Sequence, residues 1–143
     1  MVTTNIMLVD DEEPFVETMI KRLTKKGLNV VGAFSGYEAI KKLESNRMID
    51  VVILDVKMPG MDGIEALKEI KRKFPLVEVI MLTGHATVES AIDGMKLGAF
   101  DYLMKPCEME ILLSKIQEAK DKKYKHEEKI REAKIKELSS KFD

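Results

Sequence analysis

No stretch of this chain approaches the roughly eighteen uninterrupted apolar residues that a membrane-spanning helix needs. Its opening residues, Met1-Val2-Thr3-Thr4-Asn5, hold no basic segment followed by an apolar one. A membrane span and a secretory leader are therefore not expected. Cysteine is nearly missing. Cys107 is the only one, which excludes an intrachain disulfide and points to a cytoplasmic home. Neither sign of charge is in excess: 24 basic residues stand against 25 acidic ones, a formal net charge of -1. That balance gives no support to a general polyanion-binding role, so direct nucleic-acid binding is not expected. No internal repeat or low-complexity tract is visible.

What is present is enough apolar material for one core, 45% of 143 residues. It comes in short runs. Ile6-Met7-Leu8-Val9, Val51-Val52-Ile53-Leu54, Val79-Ile80-Met81-Leu82 and Phe100-Asp101-Tyr102-Leu103-Met104 read as strands, with a weaker one at Asn29-Val30-Val31. Amphipathic stretches alternate with them. Phe15, Met19, Ile20 and Leu23 mark one helix face, stopped by Gly27. Ser35 caps a helix carrying Ala39, Ile40 and Leu43, and Asp62 caps one carrying Ile64, Leu67 and Ile70. Val88, Ala91, Ile92 and Met95 mark a fourth helix, which Gly94 weakens by about 1 kcal/mol relative to alanine. Leu112, Leu113 and Ile116 mark a fifth. Strand and helix in alternation predict an α/β fold, a mainly parallel doubly wound sheet with helices on both faces.

Beyond about Asp121 the composition turns to Lys and Glu without Gly or Pro. We divide the chain into a compact domain over residues 3–121 and a charged helical extension over 122–143. Pairs four apart, such as Glu118 with Lys122 and Glu127 with Arg131, favour a helix running on to Ser140. Such a helix is about 50 Å long and projects past the body. Ile135, Leu138 and Phe142, or Ile116, Ala119, Ile130 and Ala133, offer a seam for a homodimer, although neither is a sustained heptad.

Each strand run ends on a reactive polar residue. Val9 leads into Asp10-Asp11, Leu54 into Asp55, Leu82 into Thr83, and Met104 into Lys105-Pro106. Ligands of parallel α/β sheets bind beyond the strands' carboxyl ends. Parallel strands would therefore gather three carboxylates, a hydroxyl and an ammonium on one edge. A carboxylate there can be a nucleophile toward phosphorus. Magnesium, which prefers oxygen ligands, would offset the repulsion between the acids. Lys105 supplies a cation, Thr83 a donor, and backbone N–H groups after Asp55 and Thr83 could complete the cradle.

The chain resembles the receiver domains of two-component response regulators. The matching segments are Val9-Asp10-Asp11, the run from Leu54 through Met58-Pro59-Gly60 to Gly63, Leu82-Thr83-Gly84-His85 and Tyr102-Leu103-Met104-Lys105-Pro106. The resemblance, and not periodicity, implies a flavodoxin-like (βα)5 sheet of order 2-1-3-4-5. It implies that Asp55 accepts a phosphoryl group from a sensor histidine kinase or phosphotransfer protein. Asp10, Asp11, Asp55 and the Lys57 carbonyl would hold Mg2+. Thr83, Lys105 and the Gly84 N–H would contact the phosphoryl oxygens. Lys105-Pro106 would be cis, and Tyr102 would be the aromatic switch. Output would pass through helix 4, strand 5 and helix 5, to a downstream protein or to an output domain not contained in this sequence. The charged extension is similar to that of regulators that carry an ATPase domain and activate transcription. The chain is read as a phosphoacceptor switch that assists its own phosphotransfer and dephosphorylation, not as an enzyme.

Three rivals are weaker. A phosphatase of the haloacid dehalogenase type uses a second aspartate two residues after the nucleophile, where this chain has Lys57. A flavodoxin needs a phosphate loop rich in Thr, Ser and Gly after Val9, where two aspartates stand. A degenerate receiver would lack one of the five expected residues, and all five are present.

Overall fold

The computed structural model describes residues 3–141. Five strands, β1 (Asn5–Val9), β2 (Asn29–Ala33), β3 (Val51–Leu54), β4 (Glu78–Thr83) and β5 (Asp101–Met104), form one parallel sheet of order β2-β1-β3-β4-β5. Between and after them lie α1 (Glu13–Lys25), α2 (Gly36–Ser45), α3 (Gly63–Lys73), α4 (Val88–Lys96) and α5 (Met109–Ser140).

Strand parity builds two cores. Met7, Val9, Val52, Leu54, Val79 and Met81 point to one face, where Ala39, Leu43, Ala66, Leu67 and Ile70 of α2 and α3 cover them. Ile6, Leu8, Val51, Ile53, Ile80 and Leu82 point to the other, beneath Val16, Met19 and Leu23 of α1 and Leu112, Ile116 and Ala119 of α5. Both faces of β3 and β4 are thus apolar, which is why their sequences read as unbroken hydrophobic runs.

Local chemistry fixes the helix starts. The Ser35 hydroxyl accepts from the Glu38 N–H at 3.1 Å, and the Asp62 carboxylate from the Glu65 N–H at 2.9 Å. Gly27, at φ +89°, lets the chain reverse after α1. On the outer edge of the sheet, the Lys42 ammonium donates to the Gly32 carbonyl at 2.6 Å.

The apolar stripe of α4 faces solvent, on the side expected to carry output: Val88 is 79% exposed, and Ile92 and Met95 are about half exposed. Gly94 is the buried residue of that helix, packed near Met81, Tyr102 and Ile64. A periodic stripe marks a face, but not whether another element covers it. On α5, Glu118 and Glu127 pair backwards, with Lys115 at 3.5 Å and Lys123 at 3.4 Å. Both lysines are already held by acids of the body, Asp101 and Asp50. Phe142, part of one suggested seam, lies outside the described residues, and Ile116 and Ala119, half of the other, are buried against the sheet and cannot meet a partner helix.

Candidate functional site

The sheet's hydrogen bonding continues one residue past β1, β3 and β5, and this extra rung sets the site. Asp10 N–H donates to the Ala33 carbonyl (3.1 Å), Asp55 N–H to Val9 (3.0 Å) and Lys105 N–H to Thr83 (2.9 Å). Three reactive side chains are thereby fixed just beyond the carboxyl edge. Strand order reverses between β1 and β3, so a crevice opens where Asp10 and Asp55 emerge.

Asp10, Asp11 and Asp55 each offer a carboxylate oxygen to a cluster whose members all lie within 4.8 Å of one another. Asp10 is 1% and Asp55 2% exposed, whereas Asp11 faces solvent. Such a set of hard oxygen donors, two of them buried, suits a small divalent cation such as magnesium. Lys105 reaches in from β5, its ammonium 2.6 Å from Asp10 Oδ2 and 3.8 Å from Glu12. The same ammonium lies 3.8 Å from the Phe15 ring centroid, a cation–π contact. The other Asp10 oxygen accepts from the Glu12 N–H at 2.9 Å.

Burial holds the Asp55 carboxyl above its ordinary value. The Thr83 hydroxyl opposes that shift, the Asp10 charge adds to it, and Lys105 and the Val56 N–H oppose it. The Val56 N–H donates to Asp55 Oδ1 at 2.8 Å. Thr83 is fully buried, and its hydroxyl accepts from the His85 N–H at 3.0 Å. Gly84 and Lys57 are exposed in the loops after β4 and β3. An open cleft of about 380 Å³ beside the acids is lined by Asp11, Glu12, Lys57, Met58, Pro59 and His85. Lys105-Pro106 is cis.

Gly63 holds the acceptor loop closed. Its N–H donates to the Val56 carbonyl at 2.7 Å, and a Cβ there would lie 1.9 Å from the Asp55 carbonyl oxygen. No side chain fits, which explains glycine at the first position of α3.

Tyr102 is half-buried, its hydroxyl 2.6 Å from the Ser90 Oγ. Ser90 is also the third residue of a capping box: its N–H donates to the Thr87 hydroxyl at 3.0 Å, and its own Oγ accepts from the Thr87 N–H at 3.2 Å. The tyrosine is thus wired to the first turn of α4. Sequence reasoning gave no site role to Glu12, Phe15, Gly63 or Ser90. For Ser90 a local signal was there, the Thr87-x-x-Ser90 spacing of a helix start.

A five-stranded flavodoxin-like sheet with an acid cluster at its switch point defines a class of single-site α/β domains. Comparison with known proteins narrows it. The model of the response regulator receiver domain matches residues 6–117, and the chain belongs to that family. It is 36% identical over 115 residues to the transcriptional regulatory protein ZraR of Escherichia coli, covering 80% of this chain and 26% of that protein. It is 35% identical over 112 residues to the DNA-binding transcriptional regulator NtrC of Klebsiella pneumoniae, covering 78% and 24%. The chain therefore spans about a quarter of the curated relatives it matches. Among solved structures, a receiver domain protein from Clostridium thermocellum superposes with a TM-score of 0.81 at 38% identity, covering 85% of this chain and 97% of that one. A CheY-like receiver from Methanospirillum hungatei gives 0.82 at 30%, covering 87% and 99%. The chain is thus a receiver domain of the kind that serves as a signalling switch in two-component systems. No helix among the described residues is long and apolar enough to cross a membrane.

Proposed function

We propose that Asp55 is the phosphoacceptor of this receiver and that phosphorylation switches its α4–β5–α5 face. One observation carries the reading: Asp55 is pinned one residue past a fully buried strand, in a carboxylate cluster with Asp10 and Asp11. An Asp55 oxygen attacks the phosphorus of a histidine kinase's phosphohistidine or of a phosphotransfer protein. The P–O bond forms as the P–N bond breaks. The electron pair passes to the imidazole nitrogen, which takes a proton from solvent. The product is an acyl phosphate.

Asp10, Asp11, Asp55 and the Lys57 carbonyl would hold magnesium, which when bound supplies positive charge against the phosphoryl oxygens. Lys105 moves from Asp10 toward those oxygens, Thr83 donates its hydroxyl, and the Gly84 N–H completes the cradle. Withdrawal of the Thr83 hydroxyl opens space for Tyr102 to turn inward. That movement breaks its hydrogen bond to Ser90 and frees the first turn of α4. The exposed Val88, Ile92, Met95, Met104 and Ile111 make the α4–β5–α5 face apolar enough to receive a partner.

The names of ZraR and NtrC support reading this chain as the receiver part of a cytoplasmic transcriptional regulator, with residues 3–121 as the switch and 122–143 as the connection to an output domain. A homodimer through α5 fits the same reading, as does slow self-dephosphorylation. Neither nucleic acid nor membrane is a direct ligand of this segment.

The test is labelling by acetyl phosphate with magnesium, read by intact mass and by peptide mapping. Wild type gains one phosphoryl group on the peptide containing Asp55, and Asp55→Asn gains none. Labelling of Asp55→Asn to the wild-type extent overturns the assignment.

A further inference from the structure

The edge of the sheet opposite the acceptor carries a second cluster of buried charges that phosphotransfer does not use. The inward stripe of α5, Leu112, Ile116 and Ala119, continues as Lys120 and Lys123, each only 7% exposed. Their ammonium groups run under the amino ends of the strands. Lys120 Nζ donates to Thr4 Oγ1 at 2.8 Å, and Lys123 Nζ to Asp50 Oδ1 at 3.0 Å. Asp50 is 3% exposed, and its second oxygen accepts from the Asn5 N–H at 2.9 Å. The Asp50 backbone is held as well: its N–H donates to Asn5 and its carbonyl accepts from Glu78, at 2.8 and 3.2 Å. One aspartate therefore joins the starts of β1, β3 and β4 to the fifth helix. Glu127, one turn further on, adds a carboxylate 3.4 Å from Lys123. Burial alone would lower the Lys123 ammonium; the hydrogen bond and charge of Asp50, with Glu127, outweigh it and raise it.

A solvated tail would not place two lysines in the protein interior. Buried charges are costly unless paired, and their pairing needs one geometry. We propose that Asp50, Thr4, Lys120 and Lys123 clamp α5 to the body, so that the helix leaves as a rigid strut at a fixed angle out to about Glu127. The first turns of the connecting segment, to about Glu127, are then rigid with the switch domain rather than free of it. Asp50 precedes β3 and Asp55 follows it, so one strand of about 16 Å joins the clamp to the acceptor end. Whatever is attached to the strut is held in register with the sheet rather than tethered to it. This inference does not depend on the phosphoacceptor reading.

Distances between two nitroxide labels test it. One label sits on α1 (Lys21→Cys) and one on the distal helix (Lys136→Cys), both exposed sites, with Cys107→Ser to remove the native thiol. A tilt of roughly 15° about Lys120 moves residue 136, about 24 Å along the axis, by about 6 Å, which is resolvable by pulsed electron paramagnetic resonance. With the clamp intact the distribution is narrow and single. Asp50→Asn with Lys123→Met removes both charges together while leaving an acceptor for the Asn5 N–H. That pair broadens the distribution or shifts its mean by several ångströms, while acetyl phosphate labelling of Asp55 is retained. Lys123→Arg keeps the narrow distribution. A second break, Thr4→Val with Lys120→Met, broadens it independently. A broad wild-type distribution overturns the proposal, and so does an unchanged narrow one in both charge-free variants. Neither result bears on whether Asp55 accepts a phosphoryl group.

Discussion

Replacing Asp55 by asparagine should make the metal-free protein more stable. Asp55 sits within 4.8 Å of the Asp10 and Asp11 carboxylates. At an effective dielectric near 20, each full pair of charges at that separation repels by about 3.5 kcal/mol. Two features reduce the sum. Lys105 already neutralises Asp10 at 2.6 Å, and Asp11 faces water. A net gain of about 1–2 kcal/mol on removing the charge remains, or roughly 4–8 °C in Tm for a domain of this size. Burial, before any other cause, raises the Asp55 carboxyl in the fold, so the folded chain holds that proton more tightly than the unfolded chain does. The penalty is absent below the ordinary value of 3.8, grows as pH rises from there to the raised value, and is constant above it. The stability difference between Asp55→Asn and wild type should follow that course. Magnesium acts the other way: at ten times its dissociation constant it stabilises wild type by about 1.4 kcal/mol, and it stabilises the variant less. Thermal melts in chelator and in magnesium, at pH 7 and near pH 4, measure all of this. Asp55→Asn no more stable than wild type in chelator, or equal stabilisation of both by magnesium, would refute the electrostatic account.

Other outcomes follow from single contacts. Gly63→Ala puts a methyl group on the Asp55 carbonyl and should cost at least about 3 kcal/mol in denaturant unfolding, or displace the acceptor loop and abolish labelling. Lys105→Met leaves the buried Asp10 charge unpaired; it should lower stability in chelator by about 2–4 kcal/mol, recover part of that with magnesium, and slow labelling by acetyl phosphate. Ser90→Ala and Tyr102→Phe each remove the same hydrogen bond and should each cost about 1 kcal/mol. The double variant should cost less than their sum, and strict additivity in urea melts would show that the two residues are not coupled.

The site was legible where chemistry sits one residue past an apolar run. Asp10, Asp55, Thr83 and Lys105 all occupy such positions, and strand parity makes the end of a buried strand easy to locate. The caps at Ser35 and Asp62 were legible for a similar reason, since an N-cap and the backbone N–H that donates to it lie within three residues. Individual pairings across the chain were less so. Lys105 was expected among the acids, but not that it pairs with Asp10, 95 positions away, and no local pattern announces that Phe15 lies beneath the ammonium. The stripe on α4 marked a helix but not its surroundings, because periodicity records an apolar face and not what covers it. Lys120 and Lys123 were not set apart from the charged residues around them, because charge normally signals exposure. Yet they extend the spacing of Leu112, Ile116 and Ala119 along the inward face. A lysine on a buried stripe is a reason to look for a buried acid.

The free margin of β2 gives the molecule a property apart from signalling. A parallel sheet with a bare outer strand invites another chain to add a strand, a route to unwanted association. The carbonyl of Gly32 is one of the groups such an intruder would use, and the ammonium of Lys42 already occupies it at 2.6 Å. An added strand would have to displace a charged donor and accept a lysine against its backbone. Lys42→Ala should therefore leave the switch chemistry intact while making concentrated samples more prone to aggregate.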